Sequence, residues 1–418
     1  MQTEHLIGYR PGLQLIFNYS FGELANIGQL RILRIVSVVG TLILSLAIFF
    51  IFRSFGWGYT QSTFVASTLS LLPSFQIYQK WATAFPYTWV ALLSLLSFLL
   101  FQSNHRILAF IFLFGAFSIY QPAATFGSCA LLAKYLKVRK LSPTDVKYSV
   151  TVCMAFLTST LFSRMILFFL GMQPKQRSGI IQQPDELLEK VQWIVTRPLM
   201  LAFRPFAWDS PQIGEVSISI LLLTIFLFSI HLSSKNISDG IIQGLVFVGI
   251  FLLMLLPLIP IKENQLEFRV LPSTSFGGLV IVVSIIGNIL NSRLARITIQ
   301  GLSVLLIVTL CFYTDIRTKE VFIEPFKISR DTILNQRLKW EEGSITYRIS
   351  YSNWPSRDFV GSPSAVFDLQ MPWVARPMLS LLTGIPISHI HLEELGKPKG
   401  EDILDLDEIK VLPIREMS

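Results

Sequence analysis

Charge is scarce in this chain. Asp, Glu, Lys and Arg supply 15% of its 418 residues, whereas a soluble domain of this length carries roughly 25%. That shortage excludes an ordinary water-soluble globule. Hydrophobic residues make up 52%, in long runs rather than amphipathic stripes, and so predict a polytopic membrane protein. Cysteine is scarcer still: Cys129, Cys153 and Cys311 lie in or beside apolar runs, which excludes a disulfide framework or thiolate metal site and makes them expected core residues. There is no P-loop, no GxGxxG at a strand-to-helix junction, no HExxH and no CxxC. His389 and His391 share one face if "ISHIHLEEL" is a strand, but no third ligand is near in sequence, so no metal site is predicted and the cofactor is left open. The start, MQTEHLIGYRPG, lacks a charged segment followed by an apolar one, so no cleavable signal peptide is read there.

The net charge of +8 does not mark a nucleic-acid binder, because the basic residues are dispersed between apolar segments instead of gathered on one face. The excess reads as a topology signal and as affinity for anionic lipid or phosphate.

About ten spans can be marked, near residues 33 to 52, 59 to 78, 85 to 101, 107 to 120, 122 to 133, 150 to 172, 216 to 234, 241 to 261, 276 to 291 and 299 to 313. The fourth and fifth are shorter than the roughly 20 residues of a straight crossing. The densest basic loop, KYLKVRKLSPTDVKY, carries Lys134, Lys137, Arg139, Lys140 and Lys147 and is assigned to the cytoplasm. Alternation then puts Arg53, Arg106, Lys235, Arg293 and Arg296 on the same side, with Arg31 and Arg34 running against the rule. Both termini fall outside, as do all the substantial loops. The expected organisation is an extracytoplasmic segment over 1–30, a membrane domain over 31–314 and a small extracytoplasmic α+β domain over 315–418. In that tail "TKEVFIEPFKISRDTILNQRLKW" reads as a helix, and "SITYRISY" and "EIKVLPI" alternate like strands.

Several polar residues in this setting need partners. "AFSIYQPAATF" interrupts an apolar run with Tyr120, Gln121 and Pro122. The break is either an interfacial turn or a turn that also lines an outward-facing cavity. Arg164, in "LFSRMILFFLG", is read near the middle of its span, where a cation costs at least ~2.5 kcal/mol, and so should face protein or water. It is either a phosphate ligand or a snorkelling structural residue. Lys80, in "YQKWATAFPY", could meet an anionic headgroup or belong to an ordinary aromatic turn. The outer loop "TRPLMLAFRPFAWDSP" brings Arg197, Arg204, Trp208 and Asp209 close in sequence, either to grip a sugar ring or as an interfacial helix. In "KENQLEFRVLPSTSFGG", Arg269 beside Glu267 could clamp a lipid phosphate through two parallel hydrogen bonds.

Three segments carry a resemblance. "IGYRPGLQLIFNYSF" is similar to a Gly-Arg-Pro-Leu segment, "FSIYQPAATF" to a Tyr-Gln motif, and "FYTDIRTKEVFIEPFKISRDTI" to a juxtamembrane helix. Together they resemble the bacterial and phage O-antigen glucosyl transferase II-like family, within the GT-C class of integral membrane glycosyltransferases. The resemblance covers about three quarters of the chain. It implies a polyprenyl-phosphate sugar donor, probed here by Arg10, Tyr120 and Gln121, an envelope glycan as acceptor, and a bacterial inner-membrane location. It also implies a carboxylate in the first outer loop, where only Glu4 and Glu23 are acidic before the first span. Either Glu4 serves, or the chain is an N-terminally shortened form; the second is the favoured expectation, since a chain starting outside with no preceding span has no evident means of exporting its N-terminus. The competing class is a transporter or flippase for a lipid-linked glycan, whose spans should show repeat symmetry; none is visible.

Overall fold

A computed structural model of the chain describes residues 10–22, 30–80, 84–172, 181, 183–196, 198–199, 204–206, 237–261, 270–289 and 293–319, together with three strands in the tail. By internal contacts the chain separates into two compact units. One is Met1–Leu24 with Gln29–Cys311, and the other is Ala25–Gly28 with Phe312–Ser418.

The described part of the first unit is helical. In chain order its elements are α1 (Pro11–Gly22), α2 (Leu30–Ser54), α3 (Tyr59–Thr68), a 3-10 turn (Leu69–Leu71), α4 (Pro73–Lys80), α5 (Phe85–Gln102), α6 (Arg106–Ile119), α7 (Gln121–Ala124), α8 (Gly127–Val138), α9 (Pro143–Phe169), α10 (Pro184–Thr196), α11 (Ile237–Leu255), α12 (Pro272–Ile289) and α13 (Arg293–Thr318), the last running on into the second unit. Three of the described helices, Arg31–Ser54, Phe85–Gln102 and Pro143–Phe169, are long and apolar enough to cross a membrane. At 1.5 Å per residue even the shortest of these, α5, reaches about 27 Å. Shorter apolar helices lie at Arg106–Ile119, Asp239–Leu255, Pro272–Ile286 and Ser303–Ile316. Rings of exposed Leu, Ile, Val and Phe on α2 and α9 leave apolar surface that water does not favour and lipid does.

Two expected spans are corrected, and one of them, 122 to 133, divides between α7 and α8. Residues 59 to 78 do not form a single helix but α3, a 3-10 turn and α4. Pro73 cannot donate an amide to a continuing helix, and the stretch is rich in Ser and Thr that bond to their own backbone, as Ser67, Thr68 and Ser70 do. The expectation that all three cysteines are core residues is also corrected: Cys129 is buried, Cys153 intermediate and Cys311 exposed. The expected span at 216 to 234 and the expected helix from Thr318 lie outside the described residues, apart from Thr318 itself and Lys319.

Side-chain bonds fix which helix ends meet. Ser37 Oγ near the start of α2 donates to Tyr78 O at 2.7 Å and lies 3.2 Å from Thr88 Oγ1, while Trp89 Nε1 donates to Val36 O at 3.2 Å. The starts of α2 and α5 are therefore neighbours. At the other end Trp57 Nε1 donates to Ala133 O at 3.0 Å, and Lys134 meets Gln102 and Asp145. Thus Arg53, Gln102, Lys134, Arg139 and Asp145 gather at one end of the bundle, and Lys80, Tyr87 and Tyr120 at the opposite one.

In the second unit β1 (Ile345–Ser350), β2 (Ile390–Leu395) and β3 (Val411–Pro413) form a sheet in the order β2-β1-β3. β1 pairs parallel with β2, setting Thr346 against His391, and antiparallel with β3, setting Tyr347 against Val411.

Candidate functional site

The α6–α8 hairpin turns at Tyr120. Its backbone is extended, with φ −153° and ψ 99°, so the α6 ladder cannot continue through it. Tyr120 N donates to Ala116 O at 3.0 Å, closing α6, and Tyr120 O accepts from Ala124 N at 3.1 Å, opening α7. Pro122 sits in the first turn of α7, where a missing N–H is no loss.

A break of this kind frees backbone groups that hydrocarbon cannot satisfy. The side chains of Ser94 on α5, Ser273 on α12 and the break's own Thr125 supply the partners. Ser94 Oγ on α5 donates to Ala124 O at 2.5 Å and accepts from Gly127 N at 2.8 Å. Thr125 Oγ1 lies 3.0 Å from both Pro122 O and Met254 O and 2.9 Å from Ser273 Oγ. A hydroxyl has one proton, so Thr125 serves one carbonyl while Ser273 Oγ, 3.3 Å from Pro122 O, can serve the other. The break is thereby pinned to α5, α11 and α12.

At the tip, Tyr120 is fully buried and stacks on Tyr87 with ring centroids 3.6 Å apart and planes 6° from parallel. Tyr78 meets Tyr87 edge-on at 5.3 Å and Tyr120 at 6.2 Å. Arg10, at the entry to α1, places its guanidinium carbon 4.9 Å from the centre of the Tyr120 ring. α1 reaches this position by packing on α6, so closely that a side chain at Gly12 would strike Ile119 and the carbonyl of Ser118.

The structure therefore brings together Arg10, Tyr120 and, next to it in the chain, Gln121, which is half-buried at the start of α7. Lys80, half-buried at the end of α4, belongs to the same end, two residues after Tyr78. Arg164 is placed differently from expectation. α9 extends to Phe169, so Arg164 lies in its final turns rather than mid-span, and its side chain is exposed. Ser159 Oγ, five residues before it, lies 3.3 Å from Ser118 Oγ near the end of α6, and a cation in the last turns of α9 suits the helix C-terminus. Arg204 is half-buried within the short described stretch 204 to 206. Glu4, Asp209 and Arg269 lie outside the described residues, as do Arg197, Trp208 and Glu267.

A second polar cluster stands at the other end of the bundle. Asp145, its side chain 1% exposed, forms a salt bridge with Lys134 Nζ at 2.7 Å and accepts from Gln102 Nε2 at 2.9 Å. Ser142 N and Ser142 Oγ donate to it at 2.9 and 2.6 Å, and Asp145 N donates back to Ser142 Oγ at 3.2 Å. That reciprocal pair caps α9 and has a local signature, Ser-x-x-Asp before an apolar run. Among the described residues no group of three or more His, Cys, Asp or Glu could hold a metal ion.

Comparison of the chain with protein-family models, with curated proteins and with solved structures finds no match.

Proposed function

We propose that this chain is a multi-pass membrane glycosyltransferase that moves a hexose such as glucose from a polyprenyl-phosphate donor to a cell-envelope glycan on the non-cytoplasmic side of a bacterial inner membrane. One observation carries the reading: Arg10 lies over Tyr120 at 4.9 Å, so two segments far apart in sequence, each bearing its own likeness to the glucosyl transferase II-like family, meet at one buried aromatic platform.

The chemistry suits a departing lipid phosphate. A guanidinium held through its face by an aromatic ring keeps its edge N–H groups for oxygen, and a cation near the leaving group offsets the charge that develops there. Lys80 and the Gln121 carboxamide supply further donors at this end. A carboxylate must take the acceptor proton, a role that falls to Glu4 in this proposal, with Asp209, Arg164, Arg204 and Arg269 as the remaining substrate contacts. The ten-span topology and an extracytoplasmic α+β domain over 315–418 belong to the same proposal; β1, β2 and β3 supply strands within that segment.

The test supplies polyprenyl-phosphate hexoses and an envelope-glycan acceptor to proteoliposomes containing the chain. Donor should be consumed and the glycan labelled, with a loss of about 100-fold in rate for Arg10→Ala. Unchanged donor across the common hexoses would refute the transferase and favour a carrier, which would instead move the intact lipid-linked sugar between leaflets.

A further inference from the structure

α1 presents polar residues one turn apart. Arg10, Gln14 and Asn18 fall at i, i+4 and i+8, which places them on one side of the helix, and Gln14 N donates to Arg10 O at 3.1 Å. Gln14 is only 6% exposed, an unusual position for a carboxamide next to a membrane. Its Nε2 donates to Asn18 Oδ1 at 2.9 Å, but its Oε1 is buried and meets no donor among the described residues. Unmet buried acceptors are uncommon because each forfeits its bond to water, so one such group beside a proposed binding platform points to a donor that arrives with a ligand.

From this geometry we infer that Gln14 and Asn18 form a sugar-hydroxyl subsite beside Arg10 and Tyr120, contacting the hexosyl group of the lipid-linked donor. The inference rests on the proposed function in taking its ligand to be a lipid-linked sugar. The bond between the two amides sets their polarity. One Gln14 Nε2 proton goes to Asn18 Oδ1, and the pair keeps Gln14 Oε1 as an open acceptor and Asn18 Nδ2 as a donor group. Neighbouring hydroxyls of a pyranose match that sequence, one donating to Gln14 and the next accepting from Asn18. Asn18 is exposed and meets a ligand directly; Gln14 Oε1 is covered in this structure and accepts a hydroxyl once the side chains over it move aside as the donor enters. Arg10, one turn before Gln14 on the same side, would then lie toward the phosphate that carries the sugar.

The experiment measures binding and turnover separately on the full chain in nanodiscs. Probes are polyprenyl-phosphate glucose, its galactose epimer, bare polyprenyl phosphate and free glucose. The variants are Asn18→Ala, an exposed position that leaves packing alone, and Gln14→Met, which keeps volume without the carboxamide. The wild type should bind one sugar-bearing carrier about tenfold more tightly than the bare carrier, and each variant should reduce that preference to within about threefold and level the discrimination between epimers. Affinity for bare carrier and melting temperature should stay at wild-type values in Asn18→Ala. A wild type with no preference for the sugar-bearing carrier, or an Asn18→Ala chain that retains the full preference, overturns the subsite, as does dominant binding of free glucose with no dependence on the lipid. Sugar-selective binding without any transfer would leave the subsite standing and sink the transferase.

Discussion

Asp145→Ala removes the acceptor on which Lys134 Nζ, Gln102 Nε2, Ser142 N and Ser142 Oγ converge, and the loss should be large. Losing one partner of a buried ion pair costs about 3 to 5 kcal/mol, because the other charge is left without compensation. Lys134 keeps 21% of its side chain exposed, so water recovers part of that penalty and the lower half of the range applies. The cap on α9 is lost at the same time, worth about 1 kcal/mol by itself. These effects share one carboxylate and do not simply add. The expected total is about 3 to 4 kcal/mol, combining the pair and cap magnitudes. Lys134→Met should cost less, since Asp145 still accepts from Ser142 and Gln102, and Ser142→Ala least, about 1 kcal/mol. Denaturant unfolding of the purified chain in mixed micelles gives all three. An Asp145→Ala chain within 1 kcal/mol of wild type, or a Ser142→Ala chain that loses the most, would refute the reasoning.

Gly127→Ala should sharply reduce the yield of folded protein, because the added carbon would lie 2.2 Å from Tyr148 Oη and 2.5 Å from Ser94 O; Tyr148→Phe should rescue it only in part, which expression and melting of the double variant will show. Thr125→Val keeps the shape but leaves the carbonyls of Pro122 and Met254 with one fewer donor, a loss of about 1 to 2 kcal/mol by unfolding, and combining it with Ser273→Ala should give a non-additive cycle. Tyr120→Leu should cost about 3 kcal/mol and abolish donor binding, whereas Tyr87→Phe, which retains the stacked ring, should stay within 1 kcal/mol; isothermal binding of the lipid-linked sugar separates the two.

Long apolar runs made α2, α5 and α9 readable from the sequence, because a stretch that must cross hydrocarbon needs no knowledge of its neighbours. The run at 59 to 78 misled for the opposite reason: its mean composition is apolar, but Pro73 and its bonded hydroxyls decide the backbone locally. The interruption at Tyr120 was visible through Pro122. The groups that satisfy it were not, since Ser94 and Ser273 come from helices 30 and 151 residues away. Of the site, Arg10 and Tyr120 were marked by resemblance, while Tyr78 and Tyr87 carried no signal beyond that of ordinary interfacial aromatics. The Ser142 and Asp145 cap was locally legible, but the partners Lys134 and Gln102 depend on how α5 and α8 end beside α9. Gln14 and Asn18 were passed over because amides in an apolar helix have no distinguishing pattern until burial is known.

The proposed transfer on the non-cytoplasmic side requires the Tyr120 platform to face away from the cytoplasm. In a cysteine-free chain within intact cells, a membrane-impermeant maleimide should label Gln121→Cys from outside and Lys137→Cys only after the membrane is opened. Labelling of Lys137→Cys in sealed cells, with Gln121→Cys protected until permeabilisation, would contradict it.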